Sequence, residues 1–179
     1  VAGTGVSLVP LIAVRREHVP RFPEDSVVDD LWLLLQLVRG GGRVIYEPGA
    51  TSHEPGLGLR AEVDRRSRMS AGRVLLSREL RGLPRGFAWR VLSHKWGRLA
   101  LPVLLPAAFV SALSLSRSQP YRAAALLQTT GYGAGALAIA GLRPPGPAGR
   151  IVGAAGQFVL GNVAVGIGLV RGLRRRQSA

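Results

Sequence analysis

Two adjacent carboxylates, Asp29 and Asp30, open an apolar run, and three arginines, Arg65, Arg66 and Arg68, crowd together further along the chain. A positioned carboxylate can take the proton from an attacking hydroxyl. Guanidinium groups grip phosphate oxygens in a fork, so an arginine cluster can clamp a departing diphosphate. The two together are what transfer of a sugar from a nucleotide sugar to a hydroxyl requires. Each also has a plain structural reading. Ser26-Val27-Val28-Asp29 has capping-box spacing, with Ser26 as N-cap and Asp29 at the third helical position, and this accounts for Asp29. Asp30 sits about 100° further round the helix. A helix N-terminus favours any carboxylate there by about 0.3–1 kcal/mol, so on these residues alone base and dipole partner both stand open. In the same way Glu62 can pair with Arg66, and Asp64 with Arg68, each worth tenths of a kcal/mol.

Other chemistries are poorly served. The chain has no cysteine, which excludes thiolate metal sites, disulfides and Cys nucleophiles. His18, His53 and His94 have no ligand spacing between them, and Gly40–Gly42 reads as a helix stop rather than a phosphate loop.

The elements that would position the carboxylates and arginines follow from periodicity. Val27, Val28, Leu31, Leu34, Leu35 and Val38 recur at three- and four-residue steps and predict a helix over Val27–Arg39. Arg43–Tyr46 reads as a short strand, and Glu47-Pro48-Gly49 as a turn. Ala61–Leu80 is a charged second helix that puts Arg65, Arg68, Met69 and Gly72 on one face. The apolar stretch Val1–Val14 is too short to span a membrane and lacks the basic start of a signal peptide. It reads as buried extended segments broken at Pro10. Helix, strand and flanking strand predict part of an α/β sheet domain over residues 1–80.

The charge distribution divides the chain in two. The net charge is +14, yet all ten acidic residues lie between Glu17 and Glu79. Residues 80–179 carry 13 basic groups and no acidic one, arranged in short clusters between neutral runs. A nucleic-acid binder would mix its cations with polar and acidic residues on an exposed face. Here three charge-free stretches, Leu99–Ser116, Ala123–Leu142 and Ile151–Val170, have 18, 20 and 20 residues. At a rise of about 1.5 Å per residue each covers roughly 27–30 Å, the thickness of a hydrocarbon core. Arg98, Arg117, Arg122, Arg143, Arg150 and Arg171 close the ends, where a cation avoids the cost of about 2.5–3.5 kcal/mol at mid-bilayer.

Three membrane helices over residues 99–179, ending in a basic tail, are therefore expected. Pro102 and Pro106 should kink or break the first, and Gly131 and Gly135 have small-xxx-small spacing in the second. The preceding segment 81–98 mixes Phe87, Trp89 and Trp96 with Arg90, Lys95 and Arg98, as an interfacial helix does. The basic residues before the first span favour a cytoplasmic side there. Three crossings would then leave the arginine-rich tail outside, against the positive-inside tendency. The predominance of arginine over the single lysine, Lys95, is what GC-rich bacterial coding produces.

"PEDSVVDDLWLLLQLVRGGGRVIYEPGA" followed by "RRSRMSAG" resembles the C-terminal half of a membrane-embedded family 2 glycosyltransferase. This group includes the cellulose, hyaluronan, chitin and poly-N-acetylglucosamine synthases and their smaller bacterial relatives. The resemblance covers Ala13–Lys95 by motif and the later spans by architecture. It implies a GT-A-type α/β catalytic portion over 1–80, followed by the transmembrane region. Val28-Asp29-Asp30 matches the family's T-E-D-like triplet, which puts the general base at Asp30 with Asp29 supporting it. Arg65-Arg66-Ser67-Arg68-Met69 stands where the family has Q-x-x-R-W, the motif that binds the nucleotide diphosphate and lines the acceptor site. Arg68 keeps the motif's arginine, Arg65 replaces its glutamine, and Met69 replaces the tryptophan that would stack on a sugar ring.

The resemblance further implies an inverting, multi-pass enzyme of the bacterial inner membrane with its catalytic part in the cytoplasm. Its partners would be a nucleotide-sugar donor, a lipid or glycan acceptor and membrane lipids, with no nucleic acid. Mg²⁺ or Mn²⁺ would be held by a D-x-D motif upstream of this sequence, so the 179 residues by themselves are expected not to turn over donor. The competing expectation is a non-catalytic membrane anchor or assembly module of the cell envelope, in which the same charges are only caps and surface pairs.

Overall fold

The computed structural model describes residues 12–22, 28–45, 47–51 and 58–177. Among the described residues every regular element is helical. A single 3₁₀ turn, Arg16–His18, precedes α1 (Asp29–Arg39) and α2 (Leu59–Leu75), and α2 tightens into a 3₁₀ segment at Leu76–Leu80. Then come α3 (Arg85–Val91), a π-helical turn (Leu92–Trp96), α4 (Gly97–Ser114), α5 (Gln119–Ile139) and α6 (Pro147–Gln177). The expected α/β remnant is thereby corrected to an all-helical architecture. Arg43–Ile45 are not helical, but they join no ladder. A strand's backbone groups are satisfied only by a neighbouring strand, and among the described residues none lies beside them. Tyr46 and most of the Val1–Val14 stretch lie outside the described residues.

The chain divides into two compact units, Val1–Arg98 with Gly168–Ala179, and Leu99–Ile167. The core of the first is built on α1. Leu31 and Leu35, four residues apart on one face, are fully buried, and they cluster with Val28, Leu83 and Val91. Val38, Leu76, Leu80, Phe87, Ala88 and Trp96 pack round them. Burying each leucine contributes about 1.5–3 kcal/mol, so this face fixes α1 against α3 and the segments on either side of it. The glycine run stops α1 as expected. Gly41 takes φ 78°, its N–H bonds the Val38 carbonyl at 3.1 Å, and the Gly42 N–H bonds the Leu37 carbonyl at 2.8 Å. These two bonds form a Schellman cap.

Arg39 then ties the end of α1 to the 3₁₀ segment. Its guanidinium donates to the Glu79 carboxylate at 2.9 Å and to the Glu79 carbonyl at 2.6 Å, while Gln36 Nε2 donates to the same carboxylate at 3.0 Å. These bonds hold the Glu79 carboxyl below its usual range. The Arg39 hydrogen bond is the main cause, and burial opposes it.

Small residues set a second contact in this unit. Cβ atoms built on Gly168 and Gly172 of α6 would meet Ser67 O at 2.4 Å and Val74 Cβ at 2.8 Å. The backbones of α2 and α6 therefore approach closely only because Ser67, Ser70 and Ala71 face two glycines. In the second unit α5 and α6 meet in the same way, with Gly135 against Ala155 and Val159, and Gly156 against Ala138. Gly131, the other half of the small-xxx-small pair, faces open space. Pro102 and Pro106 lie within α4, which nevertheless runs unbroken from Gly97 to Ser114.

Two helical stretches, Arg85–Ser114 and Pro147–Arg175, are long and apolar enough to cross a membrane. Only 11% and 22% of their most apolar portions are buried, the reverse of a core helix in a soluble bundle. The expected third span forms α5, but Gln128, Thr129, Thr130 and three glycines dilute its hydropathy, and it is not among the two. The basic and aromatic segment is not a separate interfacial helix. α3, the π turn and α4 form one continuous helical stretch of 30 residues leading into the apolar part.

Candidate active site

α1 begins at Asp29, with buried Val28 as its N-cap and no side-chain capping bond. Asp29 and Asp30 therefore occupy the first and second helical positions, not the third and fourth, and Ser26 lies outside the described residues. Both carboxylates stand where the first turn's amide groups have no helical acceptor, a favourable place for negative charge. Their surroundings differ. Asp29 is exposed, whereas Asp30 is half-buried and within electrostatic reach of two cations, Arg73 and Lys95, which in turn are near a third, Arg98.

Those cations come from three elements: Arg73 from α2, Lys95 from the π turn and Arg98 from the start of α4. Arg73 and Lys95 each interact electrostatically with Asp30, with each other or with Arg98. Burial, and then the charge of Arg98, push the basicity of the Arg73 guanidinium down, while Asp30 partly restores it. Among the described residues no ion pair within 4.0 Å neutralises Asp30, and the buried Arg73 Nε has no hydrogen-bond partner. Three cations against one carboxylate leave two positive charges in excess. The π turn contributes to this arrangement by inserting an extra residue into the helical ladder where Lys95 and Trp96 stand, a device frequent at functional sites.

The arginine cluster is arranged otherwise. Glu62 accepts from Arg65 Nε at 3.1 Å and from Arg66 Nε at 2.5 Å, so two of the three arginines are engaged on their own helix. The Arg65 hydrogen bond is the largest influence lowering the Glu62 carboxyl below its usual range. Burial opposes it, and Arg66 adds to the lowering. Asp64 pairs with Arg171 at 3.8 Å rather than with Arg68. Arg171 also donates to Ser67 Oγ at 2.9 Å, and that hydroxyl donates to the Asp64 carbonyl at 3.0 Å. Ser67 is fully buried, Met69 half-buried and Arg68 exposed. Arg68 lies five residues before Arg73, about 140° away round the helix. The arginine that interacts with Asp30 thus sits on a different face of α2 from the one the motif pointed to.

Arg73, Lys95 and Arg98 were not singled out as site residues from the sequence. The available signal was Lys95 and Arg98 three residues apart beside Trp96, which read only as a headgroup anchor. Among the described residues no three of His, Asp and Glu come together as a metal-binding group. His18 and His94 are exposed, and His53 lies outside the described residues. A cleft of about 1190 Å³ opens at the other end of α1, lined by Gln36, Arg39, the glycine run and Arg43 among others. Asp30 is not part of its wall, whose nearest residue on α1 is Leu34, a little over one helical turn away. Comparison with known proteins finds no family model, no curated protein and no solved structure that matches this chain.

Proposed function

We propose that this chain is part of a membrane-bound glycosyltransferase of the family 2 type, moving a sugar from a nucleotide-sugar donor to a hydroxyl of a lipid or glycan acceptor. The observation that carries the reading is Asp30, a half-buried carboxylate with no close ion-pair partner among the described residues, at a helix start within the field of Arg73 and Lys95. Such a carboxylate can accept a proton. Two uncrossed requirements of the reaction then lie side by side, a base for the acceptor and positive charge for the departing diphosphate.

In the reaction, Asp30 takes the proton from the acceptor hydroxyl as its oxygen bonds to the anomeric carbon. The bond from that carbon to the donor phosphate oxygen breaks on the opposite face, and the diphosphate departs with the electron pair. The configuration is inverted. The resemblance gives the diphosphate to Arg68, with Arg65 and Arg66 beside it and Met69 toward the acceptor, but Arg68 lies on another face of α2 from Arg73, so the positive charge nearest Asp30 is that of Arg73 and Lys95. Mg²⁺ or Mn²⁺, where the full reaction uses it, would lower the charge on the diphosphate; no step here is assigned to a metal held by these residues. The two membrane-length helices support association with a membrane; the bacterial inner membrane, a multi-pass topology and a cytoplasmic catalytic side belong to the proposal through the family resemblance.

The test is nucleotide-sugar turnover by the protein in its native membranes. Asp30→Asn should reduce turnover by about 10²–10⁴-fold, the usual loss for a general base. Equal turnover by the parent and Asp30→Asn, or none by the parent, overturns the reading. A specific observation favours a second reading, that of a membrane anchor or assembly module. Arg65 and Arg66 are engaged by Glu62, and Asp64 with Ser67 holds Arg171, so much of the polar cluster joins helices together.

A further inference from the structure

The last turns of α6 lie beside the N-terminal elements. Gly168 and Gly172 pack against Ser67, Ser70, Ala71 and Val74 of α2, and Arg171 donates to Ser67 Oγ at 2.9 Å. The chain from Gly168 on therefore belongs to the same compact unit as the residues up to Arg98, the unit from which α4 departs. At about 1.5 Å per residue α6 is roughly 46 Å long, about 15 Å more than a hydrocarbon core, so it can cross and still reach α2. With α4 leaving one unit and α6 returning to it, the bilayer is crossed an even number of times. An unbroken α5 crosses once or not at all, and parity leaves it not at all.

Contacts within the second unit agree. Gly135 of α5 packs against Ala155 and Val159 of α6. Val159 lies eight residues, about 12 Å, inside the end of the charge-free run at Ile151. Ile139 ends α5 only four residues, about 6 Å, beyond Gly135, so it reaches at most about 18 Å into a core of about 30 Å. The start of α5 is tethered to the end of α4 through residues 115–118, which reach no more than about 17 Å. Tyr132 is shallow too. Its ring meets that of Phe109 at 5.6 Å, and Phe109 stands five residues, about 8 Å, from the end of α4. Charge points the same way. Five cations precede α4 from Arg81 on and four follow Val170, and two crossings put all nine on one side, with Arg117, Arg122, Arg143 and Arg150 on the other. Three crossings would divide them seven to six, with almost no positive-inside bias.

We infer that the chain crosses the bilayer twice, through α4 and α6, and that α5 docks on the lipid of the opposite leaflet without crossing it. The arginine tail then returns to the side of α1 and α2, which its nine cations make the cytoplasmic side. The partner of α5 is a lipid surface. Leu126 and Leu127 are 61% and 74% exposed, and Thr129 and Thr130 donate their hydroxyls to carbonyls one turn back, at 2.8 and 2.9 Å. Such a face suits the acyl boundary, with exposed Tyr121, Arg122 and Arg143 at the headgroups on its two flanks. The inference stands apart from the transferase reading, because sidedness is measured without turnover.

The chain has no cysteine, so each single-cysteine variant carries one reporter. His18→Cys reports on the first unit, Ser118→Cys on the turn before α5, Pro145→Cys on the loop after it and Ser178→Cys on the tail. His18, Ser118 and Pro145 are exposed, so these substitutions spare the core. A membrane-impermeant maleimide is applied to the full chain in bacterial spheroplasts and in inverted membrane vesicles. His18→Cys and Ser178→Cys should label only in inverted vesicles, Ser118→Cys and Pro145→Cys only in spheroplasts, and all four in detergent. Labelling of Ser118→Cys and Pro145→Cys from opposite sides makes α5 a crossing and overturns the inference. Labelling of Ser178→Cys from the side opposite His18→Cys overturns it as well, as does any other distribution of the four. A nitroxide on Leu127→Cys tests the lipid seat. Its collisions with oxygen should exceed those with an aqueous nickel chelate, at a depth short of the bilayer midplane. Nickel collisions equal to those of the same label on Ser118→Cys, or a depth beyond the midplane, would refute the docking of α5.

Discussion

Gly153 and Gly168 lie on the same helix, and alanine at the two positions should change stability in opposite directions. In a helix interior, Gly→Ala gains about 0.5–1 kcal/mol by reducing the entropy of the unfolded chain. A Cβ on Gly153 meets nothing within 4 Å, so Gly153→Ala should realise that gain. On Gly168 the same atom stands 2.4 Å from the Ser67 carbonyl oxygen and 2.6 Å from Ser70 Cβ. Those atoms belong to the backbone and root of α2 and cannot rotate away, so α6 must retreat by about 1 Å. Overpacking of this kind costs about 1–3 kcal/mol. The retreat also stretches the 2.9 Å bond from Arg171 to Ser67 Oγ, a charged contact worth up to about 1.5–3 kcal/mol, less here because Arg171 is exposed.

The propensity gain offsets part of this, leaving Gly168→Ala about 1–3 kcal/mol less stable than the parent. The two variants then differ by about 2–4 kcal/mol. For a chain of this size each kcal/mol moves the midpoint by about 2–4 °C, so the midpoints should separate by about 5–15 °C. Thermal unfolding in detergent, followed by tryptophan fluorescence, measures the difference. If Gly168→Ala melts at or above Gly153→Ala, the close approach of α2 and α6 is refuted.

Glu79 should make stability pH-dependent. Its carboxyl is held below the usual value, so its contribution is complete above the unfolded pKa of about 4.3 and is lost as the pH falls through the lower folded value. Glu79→Gln should cost about 1 kcal/mol at pH 7 and flatten the fall in melting temperature below about pH 4.3; an acid limb as steep as the parent's would remove Glu79 from the account. Asp29→Asn should keep near-normal turnover and lose at most about 0.3–1 kcal/mol of stability, since Asp29 is exposed and offers only its charge to the helix start. Loss of turnover in Asp29→Asn with retention in Asp30→Asn would reverse the assignment within the pair. The chain should sediment with membranes and need detergent for extraction, because the exposed apolar faces of α4 and α6 have no other cover among the described residues. Recovery as a monomer in buffer alone would contradict that.

Local rules alone determined a good deal of this protein. The 3.6-residue recurrence of Leu31, Leu35 and Val38 predicted α1 and its buried face, because period and burial are properties of a single helix. The glycine run predicted the end of α1, since a residue at φ 78° favours glycine whatever surrounds it. Charge-free runs bounded by arginine predicted helices near α4, α5 and α6, although length without charge overstated α5, whose hydropathy is diluted by Gln128 and its threonines. Only the tertiary structure decided the rest. Arg43–Ile45 have strand-like composition, but a strand exists only with a partner, and the α/β expectation failed for want of one among the described residues. Arg39 with Glu79 and Arg171 with Ser67 join positions 40 and 104 residues apart, and no helical periodicity pairs residues at such separations. The same holds for Asp30, which the sequence placed at a helix start while leaving its neighbours open. Folding put Arg73 and Lys95 within its electrostatic reach and turned Arg68 to another face, because the packing of α2 against α6 through Ser67, Ser70 and Gly168 sets how α2 is rotated.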